Sequence, residues 1–111
     1  MVKHGEVRRC LDQNGFESLR ESLNDMSYRF KTTAVHNKHN VRVVISAPQC
    51  FRRHKSGFGK PINKRTIHVE LMDGACRTIP GVQPVTIVNR LCEIEKILNS
   101  IARGNYSCKA A

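Results

Sequence analysis

Several residue types and patterns are scarce in this chain, and each absence narrows what the protein is. Tryptophan is absent from the 111 residues, and the aromatic residues are only four phenylalanines and two tyrosines. No apolar run approaches the ~18–20 residues that a membrane-spanning helix needs, so we expect no membrane partner. The N-terminal segment contains no apolar stretch like that of a signal peptide. The expected location is therefore the cytoplasm.

Cysteines are few and scattered, which argues against a disulfide framework. They number five, and no two of them form a CxxC pair. In a cytoplasmic protein, reduced thiols are the simpler interpretation. Phosphate-loop and dinucleotide fingerprints are also missing, because the segment Gly57-Phe58-Gly59-Lys60 lacks the required spacing and the following Ser or Thr. We therefore predict no cofactor.

Acidic residues are missing from the whole middle of the chain. None occurs between Asp25 and Glu70, a stretch of 44 residues. That stretch carries ten basic residues: Arg29, Lys31, Lys38, Arg42, Arg52, Arg53, Lys55, Lys60, Lys64 and Arg65. The remaining chain carries nine basic and nine acidic residues, so these ten account for the whole formal net charge of +10. A positive field concentrated in one region attracts a polyanion better than evenly spread charge does.

Hydrophobic spacing predicts two short helices within residues 5–25. Apolar residues recur at helical spacing in two sets, Val7, Cys10 and Leu11 followed by Phe16, Leu19, Leu23 and Met26. Asn14-Gly15 separates the two sets and is typical of a helix C-cap followed by a turn.

At Tyr28 the pattern changes to an alternation with a period of two. Apolar or small residues alternate with polar, mostly basic ones over 28–34, and a second alternating run follows over 41–45. Because a polar, Asn-containing turn separates the two runs, they predict a β-hairpin with a basic outer face. Pro48 is expected to end the second strand.

Two further strands and a helix complete the expected fold. Alternation predicts a third strand over 66–71, and the Asp73-Gly74 turn leads into a short fourth strand over 75–79. An apolar stripe with steps of four and three residues predicts a helix over 85–103. The stripe also fits the seam of a homodimer, but it spans barely three heptads, so packing on the chain's own sheet is the preferred interpretation.

These elements predict one α+β domain over residues 1–104 and a flexible tail over 105–111. The domain would consist of an antiparallel sheet of three or four strands in two hairpins. Short N-terminal helices and a long C-terminal helix would pack on one face of that sheet.

Glycine and proline predict an irregular loop over 49–63, and its charge suggests the function. Phosphate binding requires cations that reach backbone oxygens, and Phe58 between two glycines could stack on a base or wedge between bases. We predict that DNA or RNA binds this loop and the first hairpin. The predicted contacts are Arg29, Lys31, Lys38, Arg42, Arg52, Arg53, Lys55, Phe58, Lys60, Lys64 and Arg65.

A zinc site is an alternative role for the histidines. His36 and His39 are separated by two residues, and Cys50 and His54 by three. Imidazole and thiolate are suitable zinc ligands, but the order of the ligands departs from that of known small modules. Polar turn histidines that face water or phosphate explain the pattern more simply, so no metal is predicted.

Two further functions are compatible with the same charge. His68 and Glu70 share one predicted strand face, where a small ribonuclease would place its acid and base; alternatively, Glu70 balances Arg77 across strands. A small regulator, phage- or plasmid-borne by analogy, would instead bind the acidic surface of a larger protein. The ten basic residues between Asp25 and Glu70 lie outside the predicted helices, which argues against a helix-turn-helix reader. Spacing alone assembles no catalytic site, so no enzyme is predicted.

Overall fold

The described residues form two helices and six strands in the computed structural model. The structure describes residues 1–25, 27–54, 57–63, 65–106 and 108, and for 50–54 and 57–63 it describes the backbone alone. The helices are α1 (His4–Gln13) and α2 (Leu91–Ala102). The strands are β1 (Glu17–Leu23), β2 (Tyr28–His36), β3 (Val41–His54), β4 (Gly57–Asn63), β5 (Ile67–Asp73) and β6 (Val85–Val88).

Five of the described strands form an antiparallel sheet in the order β1-β2-β3-β5-β6. Consecutive strands of this path are neighbours in space, so the chain meanders across the sheet. β3 lies at the centre, where Ile45 is opposite Thr32 of β2 and Val69 of β5. β4 lies off this path and pairs with the far end of β3.

Both helices cover the same face of the sheet. Each helix buries one apolar stripe, made by Val7, Cys10 and Leu11 of α1 and by Ile94, Leu98 and Ile101 of α2. Alternate residues of the three central strands complete this core: Phe30, Ala34, Val41, Val43, Ile45, Ala47, Ile67, Val69 and Leu71. Since these residues share one face, the opposite face is left without a covering helix among the described elements.

β3 is longer than the sheet that it crosses. It pairs with β2 as far as Pro48 and with β5 as far as Ser46, whereas from Gln49 to His54 it pairs with β4. Residues 49–54 and β4 thus form a two-stranded extension, which we call the ribbon. The principal extents are 54 × 24 × 22 Å and the radius of gyration is 15.0 Å, against about 13 Å for a compact chain of this length. The molecule is therefore elongated, as a projecting ribbon requires.

The coarse predictions are confirmed, since the chain is an α+β fold with an antiparallel sheet and helices on one face. The first hairpin corresponds to β2 and β3, and the third predicted strand corresponds to β5. Within the predicted tail 105–111, the structure describes Asn105, Tyr106 and Cys108. Tyr106 packs against the core, and the Cys108 amide donates to the carbonyl of His39 at 2.8 Å. The other tail residues lie outside the described part.

The second of the two predicted N-terminal helices is wrong, because this segment forms the edge strand β1. Of its apolar set, Phe16 is buried, but Leu19 and Leu23 are 46% and 53% exposed. Their helical spacing therefore marks no buried face, and hydrogen bonding to β2 determines the conformation instead. Met26, the last member of the set, lies outside the described residues.

The prediction of an irregular loop over 49–63 is also wrong, because most of this segment forms the ribbon. Pro48 does not end the strand: it lies opposite Tyr28, beyond the last residue of β3 that pairs with β5. Proline is tolerated where one side of a strand has no partner, because its missing N–H is not needed there. The same reason explains why β4, an edge strand, accommodates Pro61.

No fourth strand forms over 75–79, although the predicted turn is present. The Asp73 carboxylate accepts the backbone N–H of Ala75 at 2.8 Å and of Arg77 at 3.0 Å. These bonds hold the pKa of Asp73 below its usual value. Cys76 adopts a positive φ of 62°. The chain therefore curls around Asp73 and does not return as a hairpin. The sheet is completed by β1 and β6 instead, so its path contains five strands rather than the predicted three or four.

The C-terminal helix begins at Leu91 rather than at residue 85, because residues 85–88 form β6. All four β6 residues are β-branched, which favours a strand over a helix. The Glu93 carboxylate accepts the N–H groups of Asn89 and Arg90 at 2.9 and 3.0 Å, and these bonds lower its pKa. They fix the start of α2 just after Arg90.

Candidate nucleic-acid interface

Strand pairing identifies the side chains on the uncovered side of the sheet, which we call the open face. Directly opposed residues in antiparallel strands point to the same face. One row consists of Arg20, Thr33, Val44, Glu70 and Val85. The next row consists of Ser22, Lys31, Ser46, His68 and Ile87. The open face is therefore polar and cationic near β1 and β2 and becomes apolar at β6.

Lys31 and Arg42, two of the predicted contacts, lie on the open face. Lys31 is exposed, whereas Arg42 is half-buried and donates to the carbonyl of Gly74 at 3.3 Å. Lys38 is exposed in the turn between β2 and β3, at the end of the sheet away from the ribbon. Of these two predicted contacts, Lys31 is therefore the freer to bind a ligand.

Arg29, by contrast, lies on the helix side of the sheet. The register of β2 shifts between Tyr28 and Phe30, so Arg29 is the extra residue of a β-bulge. Its guanidinium donates to the carbonyl of Val2 at 3.3 Å and lies 5.6 Å from the centroid of the Phe30 ring. Its Nε and Nη2 atoms are buried without a hydrogen-bond partner among the described residues. The alternation in the sequence does not reveal this displacement.

The ribbon brings several of the predicted residues together on two paired strands. Arg52 and Arg53 belong to β3, and Phe58 and Lys60 belong to β4. In the backbone register, Arg53 is opposite Phe58. Because the strands of such a pair lie ~4.8 Å apart, the backbone positions of Arg52 and Arg53 on β3 are close to that of Lys60 on β4.

The remaining predicted contacts flank the ribbon. Arg65 is exposed between β4 and β5. Lys55 and Lys64 lie outside the described residues, as do the side chains of 50–54 and 57–63. The sequence has no acidic residue over 49–65, so all the formal charges of the ribbon and its immediate flanks are positive.

The predicted contacts follow the length of β3 and do not form one compact patch. Arg42 and Arg53 lie on the same strand, and their separation is about 36 Å at ~3.3 Å per residue. That length is close to one turn of B-DNA, which rises about 34–36 Å. The arrangement suits a linear polyanion that runs along the molecule.

The zinc hypothesis fails because its four residues lie at opposite ends of β3. His36 is the last residue of β2 and His39 lies in the β2–β3 turn, and their rings stack with centroids 5.0 Å apart. Cys50 and His54 lie in the ribbon, about 30 Å or more along the strand, whereas zinc ligands lie within ~2.3 Å of the metal. Among the described residues, no three His, Cys, Asp or Glu side chains are placed to hold one ion.

His36 packs into the core and does not face water. It is 7% exposed, and its ring meets Phe16 edge-on at a centroid distance of 5.1 Å. Its Nδ1 atom is buried without a partner among the described residues. Burial lowers the pKa of His36, and the neighbouring His39 lowers it further.

His68 and Glu70 share the open face on β5, as the ribonuclease hypothesis requires. Their directly opposed neighbours on β3 are Ser46 and Val44. Arg77, the suggested partner of Glu70, instead binds Asp73 at 3.1 Å. No cation within the described part of the chain forms an ion pair with Glu70. Within the described residues, Glu70 is therefore not paired with an arginine or lysine of the kind that would stabilise developing charge in such a site.

A polar cleft that the sequence pattern does not predict lies on the open face. The cleft has a volume of about 300 Å³ and is lined by Arg20, Ser22, Asp25, Tyr28, Lys31 and Thr33. The sequence pattern predicts a helix at Arg20, and only the pairing of β1 with β2 places this residue near Lys31. Tyr28 reaches this face because the bulge at Arg29 reverses the alternation of β2.

No protein-family model, curated protein or solved structure matches the chain. Neither of the two helices described above is long and apolar enough to cross a membrane. The assignment of a function therefore depends on the residues and geometry of this chain.

Proposed function

We propose that this protein binds nucleic acid and that the ribbon is its principal binding element. The observation that carries the proposal is a two-stranded extension of the central strand whose formal charges are all positive. The major groove of B-DNA admits a two-stranded β-ribbon, and a basic strand pair can equally follow the phosphates of a single strand.

The charge of the ribbon and its flanks indicates how strongly salt should weaken this binding. Six basic residues lie within 49–65: Arg52, Arg53, Lys55, Lys60, Lys64 and Arg65. If each neutralises one phosphate of a duplex, the slope of log K against log salt is about −5. Affinity would then fall about 10³-fold between roughly 50 and 200 mM salt.

The test is a fluorescence anisotropy titration with single-stranded and duplex DNA and RNA at these two salt concentrations. A ribbon variant replaces Arg52, Arg53, Lys55 and Lys60 by Ala. A control variant replaces four exposed cations on or beside the helices by Ala, namely Arg9, Arg90, Lys96 and Arg103. Both variants lose the same formal charge, so a general electrostatic effect would weaken them equally.

We expect the ribbon variant to lose affinity and to show a salt slope smaller by about 3–4, while the control keeps most of its binding. The preferred ligand among the four would then identify the target. Absence of wild-type binding at low salt would refute the proposal and would direct the search to an acidic protein partner. Shortening of bound RNA, abolished by His68→Ala, would instead establish a ribonuclease.

A further inference from the structure

The cleft on the open face lies directly beside the root of the ribbon. Tyr28, which lines the cleft, is opposite Pro48, the last residue of β3 before the ribbon. The Gln49 amide donates to the carbonyl of Ser27 at 2.8 Å. A strand of nucleic acid that leaves the ribbon over this side of β2 therefore meets the cleft first.

Two cations and three hydroxyl-bearing residues line the cleft from adjacent strands. Arg20 is directly opposite Thr33, and Ser22 is directly opposite Lys31. The Lys31 ammonium lies 5.2 Å from the centroid of the Tyr28 ring, a cation–π distance that restrains it near the cleft. A guanidinium, an ammonium and a hydroxyl supply the donors that a phosphate group accepts.

Asp25 is the acidic residue of this cleft, and its carboxylate is engaged in the β1–β2 turn. One carboxylate oxygen accepts the N–H groups of Ser27 and Tyr28 at 2.7 and 2.6 Å, and the other accepts the Ser22 hydroxyl at 3.1 Å. The backbone hydrogen bonds from Tyr28 and Ser27 hold the pKa of Asp25 below its usual value. Asp25 thus fixes the turn that positions Tyr28, and the cleft retains one net positive charge.

The other acidic side chains of β1 do not neutralise the cleft. Glu17 accepts the Asn37 amide at 2.9 Å, and Glu21 contacts His4 and Arg8 on the helix side of the sheet. Within the described residues, neither Arg20 nor Lys31 forms an ion pair.

We propose that the cleft binds one backbone phosphate of the same nucleic-acid strand that the ribbon holds. The inference rests on the proposed function and specifies the path of the ligand, from the ribbon onto the β1–β2 half of the open face. It also assigns Arg20, which the sequence analysis placed in a helix, to the binding surface.

The test compares two double variants with equal loss of charge. Arg20→Gln with Lys31→Gln removes the cleft cations, whereas Arg9→Gln with Lys96→Gln removes exposed cations from the helices. For the preferred nucleic acid, we expect the cleft variant to bind about tenfold more weakly than the control at low salt. Its salt slope should decrease by about 0.7–0.9, the value for one phosphate, and Lys31→Arg alone should keep the wild-type slope.

Three outcomes would overturn the inference, and they are distinguishable. Equal affinities and slopes for the two double variants, both folded by circular dichroism, would exclude the cleft but leave the ribbon as the binding element. Failure of the wild type to bind any nucleic acid would refute the proposed function and the cleft together. Tight calorimetric binding of inorganic phosphate alone would identify a small-anion site instead.

Discussion

Replacing residues 49–65 by the dipeptide Asn-Gly would remove the ribbon while leaving the five-stranded sheet. The design is possible because β3 and β5 are already adjacent where the ribbon leaves them, with Ser46 opposite His68. Asn-Gly is the preferred sequence for a two-residue hairpin turn, and it would join Pro48 to Thr66. The variant loses six basic and no acidic residues, which lowers its formal net charge from +10 to +4.

The expected change in stability is small, because two terms of opposite sign partly offset each other. Shortening the connection between Pro48 and Thr66 from 17 residues to two lowers the entropic cost of closing this loop by about 2 kcal/mol. The variant also loses the 2.8 Å hydrogen bond from the Gln49 amide to Ser27, which is worth about 1 kcal/mol. We therefore expect the free energy of unfolding to stay within about 2 kcal/mol of the wild-type value.

Urea unfolding followed by circular dichroism measures this stability, and the anisotropy titration measures binding by the same variant. Cooperative unfolding together with loss of nucleic-acid affinity is the expected result. A variant that fails to fold, or that is destabilised by more than about 3 kcal/mol, would show that the ribbon supports the core. A folded variant with wild-type affinity would refute the assignment of binding to the ribbon.

Three further predictions concern a buried histidine, the central strand and the turn that follows β5. Because the pKa of His36 is lowered in the folded protein, the unfolded chain protonates this imidazole more readily, and the free energy of unfolding should fall as the pH drops below about 6.5. Urea unfolding across this pH range should show a shallower pH dependence for His36→Gln than for the wild type. Equal pH dependences of the two proteins would contradict the burial of this ring. Ile45→Ala on the central strand should cost about 2–5 kcal/mol in the same assay, and a loss below about 1 kcal/mol would be inconsistent with full burial. Gly74→Ala should lower the melting temperature by an amount equivalent to about 1–3 kcal/mol, because a Cβ at this position would overlap the Asn40 side chain. The control is Gly5→Ala in α1, where an added Cβ would meet no atom within 4 Å. This substitution should be neutral or stabilising by up to about 1 kcal/mol.

The elements that could be predicted are those in which local spacing and burial agree. The β2–β3 hairpin places an inward residue at every second position from Phe30 to Ala34 and from Val41 to Ile45, and these residues are buried. The stripe on α2 likewise places Ile94, Leu98 and Ile101 in the core. In both cases one face of one element is apolar, so the sequence pattern reports the packing directly.

The elements that were missed depend on partners distant in sequence. β1 resembles a helix in its leucine spacing, and only its pairing with β2 makes it a strand. The ribbon contains glycine and proline, which normally break strands, but an edge strand with one partner tolerates them. The residues of β6 extend the apolar stripe of α2 in sequence, and the Glu93 bonds to Asn89 and Arg90 separate the two.

The candidate site was predicted in its charge but not in its geometry. The stretch without acidic residues identified the basic segment, because composition can be counted in the sequence without knowledge of the fold. Bulges depend on strand pairing and cannot be predicted in this way. One bulge moves Arg29 to the helix side of the sheet, and another, at Leu19, brings Arg20 to the open face. Strict alternation along β2 therefore predicts the wrong surface for Arg29, and the predicted helix over β1 conceals the position of Arg20 on the open face.

The continuity of β3 has a consequence for local opening. Between Val41 and Ser46 the strand is hydrogen-bonded on both sides, whereas from Gln49 onward its described partner is β4 alone. Amide hydrogens in the first part should exchange only through near-global unfolding, and those in the second part through opening of the ribbon. Pro48, which has no amide hydrogen, lies at the boundary. One strand thus belongs to two cooperative units, and the ribbon can open and close without loosening the core.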